Sequence, residues 1–261
     1  MRRAIDARLG LVRPDDPIGR AWIFRLPGIV TALAAVMTAW LLIYISLPAP
    51  MATRLDYALG LVPARFVGVV AREDGAAELA AWGPMFTHIF SHAGFWHLAL
   101  NMIGLVLFGA GVARRLGADG SVGGGAGLAN RILFFSFFLA CGVAGGVAYV
   151  LAEPGAARAL VGASGAISGV MAASMRLALR RFAPYGVAEG PLAGLGTPAL
   201  LSVTIAYLGL NLVPALGVPV PFVPGGDIGW HAHIGGYLFG LLTFPFYDRL
   251  AVRAPAAQRY V

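Results

Sequence analysis

Three short stretches hold the residues of this chain that are equipped for chemistry. The first runs His92-Ala-Gly-Phe-Trp-His97-Leu-Ala-Leu-Asn101, the second Val161-Gly162-Ala163-Ser164-Gly165-Ala166-Ile167-Ser168-Gly169, and the third Trp230-His231-Ala232-His233-Ile234-Gly235-Gly236. A serine hydroxyl within hydrogen-bond reach of an imidazole is an activated nucleophile. His97 and Asn101, four residues apart, share one helix face one turn apart. Their side chains then offer N–H donors at one point, which is what a developing oxyanion requires.

Each of these residues also has a plainer reading. A serine in a membrane helix commonly bonds back to its own helix, and a membrane asparagine usually serves as interhelical glue. Histidines are tolerated at helix ends near an interface. The glycines around Ser164 shift the balance, because they let another backbone or a substrate approach closely. Gly165 and Gly169 form a small-xxx-small face, repeated by Gly236 and Gly240. Two such faces in contact bring their helices close enough for a serine and a histidine to meet.

The elements that position these groups are membrane helices. Of the residues, 59% are hydrophobic and 12% charged, against roughly 25% charged in a soluble domain. About 20 mostly apolar residues span a bilayer, and six segments qualify: Pro27–Leu47, Trp96–Ala113, Ile132–Leu151, Ala163–Leu179, Pro198–Val213 and His231–Tyr247. The expected fold is an all-α polytopic membrane protein. A tail over 1–26 precedes a six-helix membrane domain over 27–248, and a second tail covers 249–261. Pro48–Phe95 is too long for a hairpin and suggests an interfacial loop with short helices at Tyr57–Val62 and Phe66–Val70. The glycine-rich Gly117–Gly127 reads as a flexible turn region.

Basic residues set the orientation. With the N-terminus inside, arginines 2, 3, 8, 13, 20, 25, 114, 115, 131, 176, 180, 181, 249, 253 and 259 are cytoplasmic, leaving Arg54, Arg65, Arg72 and Arg158 outside. Fifteen against four predicts that both termini are cytoplasmic. All five histidines then lie toward the outer ends of the second and sixth spans. Ionisable groups at membrane depth mark a water-accessible functional site. The first thirty residues hold six arginines and no early apolar core, which predicts a tail rather than a cleaved leader. A net charge of +7 does not indicate nucleic acid, since the arginines flank apolar runs and form no stripe with interleaved aromatics. The single Cys141 excludes a disulfide framework or a metal knuckle and reads as a buried hydrophobe. No motif calls for a metal or other cofactor.

No Asp or Glu falls within these six segments, so the chemistry expected is a Ser–His dyad without a carboxylate, Asp227 being a solvated loop residue.

Taken in order on the second, fourth and sixth spans, His92-x4-His97-x3-Asn101-Met102, Gly162-Ala-Ser164-Gly165 and Ala232-His233-Ile-Gly235-Gly236 resemble bacterial-type rhomboid proteases, over residues 28 to 248. The resemblance implies Ser164 as nucleophile, His233 as general base, and His97, Asn101 and the Ser164 N–H as the oxyanion site. His92, Gly162 and Gly165 are the supporting residues. It further implies a cap over Pro214–Gly229, a fifth span past which a substrate helix enters, and membrane proteins with a transmembrane segment as substrates. The location implied is the cell (inner) membrane, with the site facing outward. Two positions depart from the family pattern. Ala113 stands where many relatives carry Glu, and Ser168 stands where many carry an aromatic that packs on the catalytic histidine. Trp230, His231 or Tyr237 are left to supply that packing. The rival readings are a catalytically silent relative that binds membrane clients, and a transporter, which calls for charged residues or broken helices near the midplane that this chain lacks.

Overall fold

The structure, a computed structural model, describes residues 26–70, 81–179, 190–216 and 229–252. Prolines start much of it. Pro27 precedes α1 (Gly28–Ser46) and Pro48 precedes α2 (Ala49–Leu59). Pro63, Pro84 and Pro198 are the first residues of α3 (Pro63–Val70), α4 (Pro84–Thr87) and α8 (Pro198–Leu212). At a helix start the missing N–H has no intrahelical partner to lose. Between them come α5 (Phe95–Arg115), which contains a π turn at Leu105–Gly109, α6 (Gly124–Ala152) and α7 (Ser164–Ala178), and the last helix is α9 (Trp230–Leu250). The chain is an all-helical polytopic membrane protein. The one β-bridge among the described residues joins Leu61 to Leu160.

Among the described residues, four segments are long and apolar enough to cross a membrane: α1, α5, α6 and Pro198–Leu216, which is α8 with its 3-10 extension. The other two of the six expected segments differ for separate reasons. The described part of α7 is 15 residues, about 22 Å at 1.5 Å per residue. α9 has 21 residues but carries His231, His233, Asp248 and Arg249. Both pack among their neighbours, and most of α7 is buried, so Arg176 and Asp248 face protein, whereas Arg249 is exposed. The outer helices show the reverse pattern. Val36, Leu42 and Ile45 of α1 and Ile205 and Leu210 of α8 are exposed, as suits side chains whose solvent is lipid. A core of Val30, Leu33, Met37, Phe134, Phe137, Phe138 and Phe244 joins α1, α6 and α9.

The short α7 has a positional consequence. α6 runs 29 residues, about 43 Å, and the chain then returns as non-helical backbone before α7 begins at Ser164. That return is pinned: Leu61 and Leu160 exchange backbone hydrogen bonds of 3.0 and 2.8 Å, and Gly162 N–H donates to His88 O at 2.9 Å. Ser164 is therefore recessed from the end of the bundle.

Three expectations need correction. The run Tyr57–Val62 is not one helix, because α2 stops at Leu59 and Leu61 leaves to bridge Leu160. Gly117–Gly127 is a turn region only as far as Gly123, because α6 already begins at Gly124. Asn130 also donates to Gly117 O at 3.3 Å and Val252 O at 2.7 Å, and a Cβ on Gly117, whose φ is +67°, would lie 2.6 Å from the Asn130 amide. Third, the last helix does not stop at Tyr247: α9 continues to Leu250 and so includes a carboxylate, Asp248.

Asp248 lies at the end of the bundle opposite Ser164. Arg115 clamps it with Nε–Oδ1 at 2.6 Å and Nη2–Oδ2 at 2.8 Å, and Nη2 also donates to Gly190 O at 3.0 Å. The carboxylate missing beside Arg114 and Arg115, where Ala113 stands, is thus supplied to Arg115 from α9. Nearby, Pro245 sits inside α9 and has no N–H for the carbonyl four residues back. That carbonyl belongs to Leu241, and Arg176 of α7 donates to it from Nη1 at 2.9 Å. Arg176 Nε reaches Ala193 O at 3.0 Å as well.

Candidate active site

Glycine brings α7 and α9 into backbone contact. A Cβ on Gly236 would collide with the Gly165 carbonyl, and one on Gly240 would lie 2.5 Å from Gly169 Cα. From the other side, a Cβ on Gly169 would sit 2.7 Å from Gly236 O and one on Gly165 3.1 Å from Ala232 O. The two faces read from the sequence do meet. They carry Ser164 Oγ to 2.7 Å from His233 Nε2.

The other ring nitrogen of His233 has a partner that sequence reasoning missed. Nδ1 lies 2.8 Å from Asn211 Oδ1, on α8. Asn211 Nδ2 donates to Tyr207 O at 2.9 Å. A backbone carbonyl only accepts, so the amide nitrogen must face it and the amide oxygen must face His233. Nδ1 therefore carries the proton, and Nε2 presents its lone pair to the Ser164 hydroxyl. Proton transfer along that bond yields an alkoxide beside an imidazolium.

Ser168 takes part in the same network. Its hydroxyl donates to Ser164 O at 2.6 Å and accepts from Tyr207 OH at 2.6 Å. Tyr207 stacks on Tyr237 with centroids 4.4 Å apart, and the Tyr237 hydroxyl lies 2.9 Å from Thr204 Oγ1. At position 168 a hydroxyl contact to Tyr207 of α8 stands in place of an aromatic ring, and Tyr207 packs on Tyr237. Trp230 and His231 stack on each other, with His231 Nδ1 3.4 Å from Glu153. His233 is held by hydrogen bonds at both ring nitrogens. Asp227 lies outside the described residues, as does most of the expected cap.

On the facing side, Gly162 has φ +118°, and a Cβ there would lie 2.7 Å from His97 Nε2. Only glycine allows both that conformation and that approach. Ala93 N–H points at His97 Nδ1 over a long 3.4 Å, which leaves the proton on Nε2, toward Gly162 and Ser164. Asn101 is buried one turn on. Its Nδ2 donates to His97 O at 2.8 Å, while its buried Oδ1 has no partner. His92 supports from behind: Nδ1 pairs with Phe90 O at 3.2 Å and Nε2 faces Ala163 N at 3.5 Å. Burial, then the neighbouring His97, holds the His92 ring down to about 4, so it is neutral at physiological pH. Ser164 also opens α7, where the first N–H groups lack intrahelical acceptors and the dipole favours negative charge. Among the described residues no three His, Cys, Asp or Glu side chains converge as metal ligands.

A model of the rhomboid domain family matches residues 79–248. Rhomboid protein 1, mitochondrial, of Saccharomyces cerevisiae is 28% identical over 175 residues, which cover 65% of this chain and 43% of the yeast protein. The chain thus spans less than half the length of that relative. No solved structure matches the chain.

Proposed function

The chain belongs to the rhomboid family, and on that premise we propose that it is an intramembrane serine endopeptidase that cuts transmembrane segments of membrane proteins. The observation that carries the reading is the 2.7 Å contact between Ser164 Oγ and His233 Nε2, recessed in the bundle.

Ser164 attacks the scissile carbonyl carbon as His233 Nε2 takes the hydroxyl proton. The tetrahedral oxyanion is met by the Ser164 N–H, His97 Nε2–H and the second N–H of Asn101. Its collapse breaks the peptide C–N bond, and His233 returns the proton to the leaving amine. A water then attacks the acyl-enzyme, giving its proton to His233, and the ester C–O bond breaks to a carboxylic acid as His233 returns that proton to Ser164 Oγ. The logic is that of the soluble triad, without a carboxylate behind the imidazole. A substrate helix must unwind to present an extended peptide here, because a helical carbonyl is screened by its own hydrogen bonds.

The arginine distribution supports a cell-membrane topology with both termini cytoplasmic and the site toward the outer leaflet. The domain reading is a membrane domain over 27–248 with a tail on either side.

The test is cleavage of a transmembrane substrate by purified protein in detergent, the parent beside Ser164→Ala and His233→Ala. A product formed by the parent and lost in both variants supports the proposal. Folded parent that cuts no substrate overturns it in favour of a client-binding relative, and product that persists in Ser164→Ala assigns the nucleophile elsewhere.

A further inference from the structure

The residue left without a role by that mechanism is Asn211. It sits on α8, whose only buried residue is Leu200, while Leu201, Ile205 and Leu210 are exposed. Beyond Leu200, the contacts that tie α8 to the inner helices run along one face. Thr204 meets Tyr237, Tyr207 meets Ser168 and stacks on Tyr237, and Asn211 meets His233. Asn211 comes last, beside the reacting pair.

We propose that Asn211 is the positioning residue for His233, completing a Ser164–His233–Asn211 relay drawn from three helices, so that the base is set for proton transfer only while α8 is docked. The inference rests on the reading of Ser164 and His233 above. An imidazole with a free Nδ1 splits between two tautomers and turns about its side-chain bonds. The Oδ1 acceptor selects the tautomer with a bare Nε2, and the Tyr207 carbonyl fixes the amide that does the selecting. When the imidazolium forms, the Nδ1–H bond to Oδ1 becomes charge-assisted and strengthens. Asn211 therefore acts most strongly as the alkoxide forms, which raises kcat rather than tightening substrate binding. The structure also separates His233 from its orienter: α9 supplies the base, and the loosely packed α8 supplies the acceptor. If α8 swings away, the Nδ1 bond breaks before any group on α7 or α9 moves. The other ionisable groups that face His233 are His97 from α5 and, one turn along α8 from Asn211, Tyr207.

The experiment compares Asn211→Leu and Asn211→Asp with the parent in detergent. Fluorophosphonate labelling of Ser164 is followed from pH 5 to 9, with kcat and KM on a transmembrane substrate and thermal unfolding of each protein. Asn211→Leu is expected to lose about 10- to 100-fold in kcat and labelling rate at unchanged KM, less than the ~10²–10⁴ that the general base as a whole supplies. Asn211→Asp keeps an acceptor and adds negative charge beside the imidazolium. Its acid limb should move to higher pH, with activity above that of the Leu variant at pH 9. Asn211→Leu labelled at the parent rate, or an Asp variant whose limb does not move, overturns the proposal. Should Asn211→Leu fail to fold, the limb of the Asp variant decides alone. A parent that is not labelled at all refutes the assignment of Ser164 instead, so the two failures are distinct.

Discussion

Replacing Gly240 by alanine tests whether glycine contacts remote from the reacting groups set their separation. Gly240 lies about two helical turns from His233 and touches neither it nor Ser164. The added methyl would lie 2.5 Å from Gly169 Cα, whereas carbon atoms rest about 3.5 Å apart. The contact is backbone to backbone, so no side chain can rotate away, and α7 and α9 must part by about 1 Å. Carried to the site, that turns a 2.7 Å hydrogen bond into a gap of about 3.7 Å, beyond hydrogen-bond range. A misplacement of about 1 Å costs on the order of 10²-fold in rate, and overpacking costs about 1–3 kcal/mol of stability. The assay is kcat/KM on a transmembrane substrate beside thermal unfolding in the same detergent. Gly111→Ala is the control, because a Cβ there meets nothing within 4 Å. Gly240→Ala with parental turnover would show that helix spacing does not set the Ser–His distance.

Three further outcomes are expected. Asn101→Ala removes one oxyanion donor and should raise the barrier by about 2.7–4 kcal/mol, leaving slow cleavage where Ser164→Ala leaves none; parental rates exclude the assignment. Arg115→Met removes the guanidinium clamp from buried Asp248 and should destabilise by about 3–5 kcal/mol, as read by thermal unfolding. Arg115→Met with Asp248→Leu should lose much less, and equal losses would mean that the ion pair is not what the single variant breaks. Burial lowers the His88 ring from 6.5 to about 4, and its Nδ1 meets Pro84 O at 2.7 Å. The unfolded chain then binds more protons between those values, so stability is unaffected above pH 6.5 and falls as pH drops toward 4, by roughly 3 kcal/mol in all. Unfolding of Ser164→Ala protein from pH 7.5 to 4 measures this slope, and a slope unchanged in His88→Gln would assign it to other groups.

Local spacing made part of this legible from the chain. Gly165, Gly169, Gly236 and Gly240 announce close helix contact by their four-residue repeat, and His97 with Asn101 share a face by helical period alone. The span of α1 is legible because lipid demands a continuous apolar run. Asn211 was missed, since one asparagine in an apolar segment reads as glue. A signal did exist: Thr204, Tyr207 and Asn211 are spaced three and four apart and form a polar stripe on a largely apolar helix. The pairing of Arg115 with Asp248, 133 residues distant, had no local signature. The short α7 was legible, because the expected segment Ala163–Leu179 falls on Ser164–Ala178 and the return before it carries Glu153, Pro154, Gly155 and Arg158.

The proline break in α9 gives the histidine the mechanics of a cantilever. Below Pro245 the helix is clamped, through Asp248 to Arg115 and through Val252 to Asn130. Above it, twelve residues, about 18 Å of helix, project to His233. Arg176 pins the arm at its base, holding the Leu241 carbonyl that Pro245 leaves without a helical donor. On an arm of that length a tilt of about 3° moves the imidazole about 1 Å. The guanidinium at the foot of the bundle and the glycines along the arm thus set the angular tolerance of a proton transfer at its tip. A tug on the chain beyond residue 252 meets the clamp before it can reach the arm.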